Sequence, residues 1–200
     1  DPVDTTLFRA NPDLVESNAV HPKVLYAGHL YEYKGIYTLL KAAKLLPNIN
    51  FVIVGGSPRE IADVENFVSR LGLQNILMTG WLTREEVANQ VSKSQVLCLP
   101  NEIWHESSLW TSPMKLGEYL ATGNPIVVSD IPAHRYWLEG VSAEFFEPGV
   151  EVSLVEAIMR AIKQKQSESE VTGRIALAES FSIENRVSKI LDIIRSSERS

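Results

Sequence analysis

The sequence predicts an α/β fold: a doubly wound, Rossmann-like parallel sheet. Short β-branched runs, apolar almost throughout, alternate with longer stretches whose apolar residues recur every three or four positions. The longer stretches also carry helix start and stop signals at their ends. Strands covered on both faces read as continuous apolar runs, and helices that bridge parallel strands read as amphipathic.

The expected strands are Val24 to Ala27, Phe51 to Val54, Ile76 to Thr79, Val96 to Leu99, Ile126 to Ser129 and Ala143 to Phe146. Between the first two, Ile36, Leu39, Leu40, Ala43 and Leu46 share one helical face. Ile61, Val64, Phe67, Val68 and Leu71 do the same before the third. Ser57 and Pro58 suit a cap and first turn, and Gly72 suits a C-terminal cap. Thr83 with Glu86 forms a capping box that opens a helix to about Lys93. Ser112 and Pro113 open another helix, closed by Gly123. After Phe146 the alternation stops, and Val152 to Lys165 and Ile183 to Ile194 read as helices with no strand between them, set against the sheet or against a missing partner.

Composition narrows the function classes. The chain has 200 residues, 44% hydrophobic and 22% charged, which suits a folded globular chain. Its longest apolar runs fall far short of the roughly 18 residues a membrane span needs. One cysteine, Cys98, rules out an intrachain disulfide and a cysteine-based zinc site and fits a reducing compartment, so a cytoplasmic location is expected. With 19 Lys and Arg against 25 Asp and Glu, the net charge of -6 disfavours nucleic acid, so any polyanionic partner is small. The chain opens Asp1-Pro2-Val3-Asp4 with neither Met nor an apolar leader, so it reads as part of a longer protein, with residues 1–22 a lead-in and 23–200 the domain.

In doubly wound sheets ligands bind beyond the carboxyl ends of the strands. The first strand ends there in Gly28-His29-Leu30-Tyr31-Glu32-Tyr33-Lys34-Gly35. Two glycines and a lysine just before a helix form an anion cradle in outline, though not a Walker motif; a plain turn with a solvated lysine is the alternative. Gly55 and Gly56 follow the second strand and leave amides accessible to a phosphate or sugar. Lys115 falls in the first turn of its helix, where the dipole disfavours a cation by roughly 0.3–1 kcal/mol unless an anion binds; an i, i+3 pair with Glu118 is the competing explanation. The loop from Asn101 to Trp110 has two Trp and two Glu and no helical or strand periodicity; Trp rings suit stacking on sugars or bases, and a loop whose Trp residues simply pack down is the alternative. His29, His105 and His134 lie on three loops without metal-ligand spacing, and no metal site is expected.

In these segments the chain resembles the carboxyl-terminal half of family 4 glycosyltransferases, which share the two-domain GT-B fold. Val3-Asp4-Thr5-Thr6-Leu7-Phe8 is similar to the start of that family's second domain. Gly28 through Lys34-Gly35 resembles its Gly-Arg-Leu-x-x-x-Lys-Gly loop. Gly55 to Pro58, Thr79-Gly80-Trp81-Leu82, Glu118 through Val127 and Phe181-Ser182-Ile183-Glu184 follow in family order.

The resemblance implies a retaining transferase. A nucleotide diphosphate sugar would be the donor on this domain, with no cofactor, and a missing amino-terminal domain would hold the acceptor and make any peripheral membrane contact; the transfer would serve polysaccharide or glycoconjugate synthesis. It implies Lys34 on the diphosphate, Glu118 on ribose hydroxyls, Trp81 and Leu82 at the base, and Lys115 with the Ser112-Pro113-Met114 helix start on the diphosphate. Two positions depart from the pattern. His29 replaces an arginine, a weaker donor whose charge depends on pH. Trp110 stands where a first glutamate belongs, leaving Glu106 or Glu102 to take part of its role. A nucleotide-sugar-binding module without turnover and a sugar-nucleotide epimerase are the other readings.

Overall fold

The computed structural model describes residues 3–9, 21–110 and 114–197. Six strands form one sheet, β1 (Lys23–Ala27), β2 (Asn50–Val54), β3 (Ile76–Gly80), β4 (Val96–Leu99), β5 (Ile126–Ser129) and β6 (Glu144–Phe146). Their order is β3-β2-β1-β4-β5-β6, with every pairing parallel. The strand order reverses between β1 and β4, which opens a crevice at their carboxyl ends.

Alternation along the strands explains the two-sided core. Val24, Tyr26, Phe51, Ile53, Val96 and Cys98 face one layer, closed by α1 (Ile36–Leu45), α2 (Pro58–Leu71) and α7 (Glu151–Lys163). Leu25, Ala27, Val52, Val54, Leu97 and Leu99 face the other, closed by α3 (Arg84–Ser92), α5 (Met114–Ala121) and α8 (Glu168–Ser180). The expected caps form: Ser57 with Glu60 and Thr83 with Glu86 make capping boxes, and Gly72 closes α2 in the left-handed conformation. The expected Ser112 and Pro113 helix start lies outside the described residues.

Three helices differ from the sequence reading. Residues Ser107–Trp110, expected as irregular loop, form one helical turn, α4, and Pro132–Trp137 form α6. Between α7 and α9 (Ile183–Ser197) stands α8, which the sequence analysis did not place. It buries Arg174 and Ala178 rather than a row of large apolar residues, so its apolar periodicity is weak, although Ser167 and Glu170 cap it. The Arg174 guanidinium is 1% exposed and donates to the carbonyls of Gly123 and Ser142 at 3.1 Å each.

The lead-in is built into the fold where it is described. Phe8 is fully buried, Val3 is 4% exposed, and the Val3 amide donates to the Phe181 carbonyl at 3.0 Å.

The turn after β1 is set by one close approach. Gly35 has φ 77°, and a Cβ there would lie 1.7 Å from the Pro100 carbonyl oxygen. Neither backbone can yield cheaply, so Gly35→Ala is expected to cost about 3 kcal/mol or more in denaturant unfolding. A loss under about 1 kcal/mol would show that the two loops are not locked together.

Candidate functional site

A cleft of about 500 Å³ opens at the carboxyl edge. The loop after β1 contributes Gly28, His29 and Lys34; the loop after β2 contributes Gly55 and Gly56; the loop after β3 contributes Trp81 and Leu82; and α5 contributes Met114 and Lys115. Residues selected at four separate places in the sequence thus converge on one space. Ser112 and Pro113 lie outside the described residues.

Local folding explains why each group is there. The Ala27 amide at the end of β1 donates to the buried Tyr119 hydroxyl at 2.8 Å, which ties α5 to the cleft floor. Gly55 packs on the Gly28 backbone, where a Cβ would come within 2.4 Å of the Gly28 carbonyl oxygen. A 3₁₀ turn, Glu32–Lys34, then sets Lys34 beside the crevice. The Glu102 amide donates to the Tyr33 carbonyl at 2.9 Å, and the Tyr33 and His105 rings stack with centroids 3.9 Å apart. The stack continues from Tyr33 through Tyr31 to His29.

The three cations differ in their electrostatic state. Lys34 is half-buried, faces the Tyr33 ring at 5.3 Å, and makes no ion pair among the described residues. Burial holds its ammonium below the ordinary lysine pKa. Lys115 instead pairs with Glu118 at 2.6 Å, the i, i+3 alternative raised by the sequence. Glu118 is buried beneath it and does not line the cleft. Arg84, the first residue of α3, adds a third positive group that the sequence analysis did not select. A basic residue just after the Thr83 cap reads alike in the sequence whether it faces solvent or a cleft.

Two acidic candidates fall elsewhere. Glu102 accepts a hydrogen bond from the Thr38 hydroxyl at 2.7 Å, and neither Glu102 nor Glu106 lines the cleft. Trp110 is 65% exposed and also outside the lining. Asn101, unselected by the sequence analysis, does line it. It is the polar residue that follows the all-apolar β4 and Pro100, a position that reads as an ordinary strand end. Among the described residues no group of three or more His, Cys, Asp or Glu is arranged to hold a metal ion.

Chemically, the cleft offers glycine-lined backbone, two lysines and an arginine in its lining, and Trp81, 75% exposed, at its rim. Such an arrangement can hold an anionic group at the floor and a flat ring at the edge.

Residues 21–164 match the family model for glycosyl transferases group 1. The chain belongs to that family. Over 133 residues the chain is 27% identical to a processive diacylglycerol alpha-glucosyltransferase of Acholeplasma laidlawii, covering 66% of this chain and 37% of that one. Among solved structures it is similar to sucrose-phosphate synthase from Thermosynechococcus elongatus, with a TM-score of 0.82 and 20% identity over 99% of this chain and 51% of the other. It is also similar to HepE of Anabaena in complex with UDP-glucose, with a TM-score of 0.77 and 17% identity over 98% of this chain and 56% of the other. These structural likenesses show the fold, a Rossmann-like α/β domain that matches about half of each GT-B glycosyltransferase chain. The chain spans 37% of the curated relative and about half of each solved chain. No described helix is long and apolar enough to cross a membrane.

One group beside this cleft predicts a pH dependence of stability. His134 on α6 is fully buried; its Nδ1–H donates to the Ser129 carbonyl at 2.8 Å, and Nε2 has no partner. Burial lowers its pKa from 6.5 to about 4, the Ser129 bond opposes that shift, and the Lys34 charge adds to it. Across that window the unfolded chain binds a proton that the folded chain refuses. Stability should therefore rise with pH between the two values, by roughly 3 kcal/mol in all. In His134→Asn, denaturant unfolding at the two ends of the window should show most of that difference gone; an unchanged difference would assign it to other groups.

Proposed function

We propose that this domain binds the donor of a retaining glycosyl transfer, a nucleotide diphosphate sugar, within a longer protein whose other half holds the acceptor. The observation that carries the reading is Lys34, a half-buried ammonium without an anionic partner among the described residues, set beside glycine-lined backbone where the strand order reverses between β1 and β4. A buried charge lacks the hydration that would stabilise it, and a diphosphate supplies the missing counter-charge. Family membership and the UDP-glucose held by the similar HepE fold support the same reading.

In the proposed reaction the bond between the anomeric carbon and the diphosphate oxygen breaks, leaving negative charge on the phosphate. Lys34, Lys115 and Arg84 stabilise that charge, so the transfer needs no metal. Trp81 and Leu82 flank the base, and His29 assists at the diphosphate as a donor. For Glu118 to reach ribose hydroxyls, Lys115 turns from its carboxylate toward the diphosphate. An acceptor hydroxyl oxygen forms the new bond to the anomeric carbon, and its proton passes to the departing nucleoside diphosphate. The product is thus a glycoside of a saccharide or glycoconjugate, formed by a peripheral or cytoplasmic enzyme.

Lys34→Ala is the sharper test, because removing Lys115 also strands the buried Glu118 carboxylate. Calorimetry with UDP, GDP and ADP should show one diphosphate bound by the wild type and about tenfold to a hundredfold more weakly by Lys34→Ala, with thermal unfolding unchanged or raised. Equal affinities in the two proteins would refute the assignment.

A further inference from the structure

Asn101 is 6% exposed and stands at the carboxyl end of β4, beside the point where the strand order reverses. Its carboxamide makes no hydrogen bond with any described residue. Nor is it sealed into protein: among the described residues the fully enclosed side-chain polar atom left without a partner is His134 Nε2, whereas Asn101 contributes to the cleft wall. A buried amide facing an open cleft without a protein partner costs stability that a near-isosteric leucine would not.

We propose that Asn101 is a specificity-determining residue that reads a hydroxyl of the sugar carried by the donor. This rests on the reading of the cleft as the donor site and assigns a role within it. The charged oxygens of a diphosphate are matched by Lys34, Lys115 and Arg84, all lining the same cleft. A primary amide is neutral and presents both donors and an acceptor; a hydroxyl also donates and accepts, so the two groups satisfy each other in full. The nearby carboxylates do not compete for that hydroxyl: Glu102 accepts from Thr38, and Glu118 lies outside the cleft lining and is assigned to the ribose. A site built to bond a hydroxyl discriminates strongly against a ligand that lacks it, because the buried amide is then left unpaired.

The test compares a nucleotide with and without its sugar. Calorimetry on the wild type with UDP, GDP and ADP, and with the glucose, galactose and mannose donors of each, selects the tightest pair. Asn101→Leu and Asn101→Ala should then bind the bare diphosphate within about twofold of wild type and the sugar-bearing donor on the order of tenfold more weakly. Free Asn101→Leu should melt at the wild-type temperature or above it, and Asn101→Ala controls for the bulk of leucine. Equal losses for diphosphate and donor would move the contact to the nucleotide, and an unchanged donor affinity would remove it; either overturns the inference while leaving the donor site standing. Absence of nucleotide binding by the wild type would overturn the donor-site reading and this inference together.

Discussion

The loops that follow β1 and β4 are locked to one another, and the cleft exists because of that lock. Gly35 lies against the Pro100 carbonyl with no space for a side chain, two further contacts join the same two loops, and a third ties the start of α1 to the loop after β4. The Glu102 amide reaches the Tyr33 carbonyl at 2.9 Å, the Thr38 hydroxyl reaches Glu102 at 2.7 Å, and the rings of Tyr33 and His105 lie 3.9 Å apart. Lys34 and Asn101 immediately adjoin these contacts. Their positions across the crevice are thus inherited from backbone packing and do not depend on long side chains finding each other.

Charge is distributed unevenly over that frame. Lys115 has its counter-ion within its own helix, one turn away, whereas Lys34 is partly withdrawn from water without one. The first arrangement is self-sufficient, and the second is completed by a ligand. His134 adds a buried imidazole kept neutral chiefly by its burial, with the Lys34 charge adding to that effect.

The sheet was legible in the sequence because each strand is short, apolar and followed by a helix with its own caps. Observed strand limits lie within one residue of the expected ones, as at β4, Val96–Leu99. Gly28, Lys34, Gly55 and Lys115 were legible for a related reason, since glycines and cations at strand ends are unusual. Asn101 and Arg84 were not, because one polar residue after a strand or a cap has the same local pattern whether it faces solvent or a cleft. The helix α8 was missed because its buried residues include Arg174, whose burial rests on carbonyls of Gly123 and Ser142 that lie distant in sequence. No local window contains those partners.

Gly117 sits on α5 between Lys115 and Glu118, and a Cβ there would meet the Val3 side chain at 2.2 Å. Val3 also bridges to Ser182, at the junction of α8 and α9. One valine therefore pins the helix that presents the cleft lysine to the hinge of the last two helices. Strain applied along the segment before β1, or a loosening of α9, is transmitted to the cleft through this tether, so local opening at that remote corner and the geometry of α5 share one energetic fate.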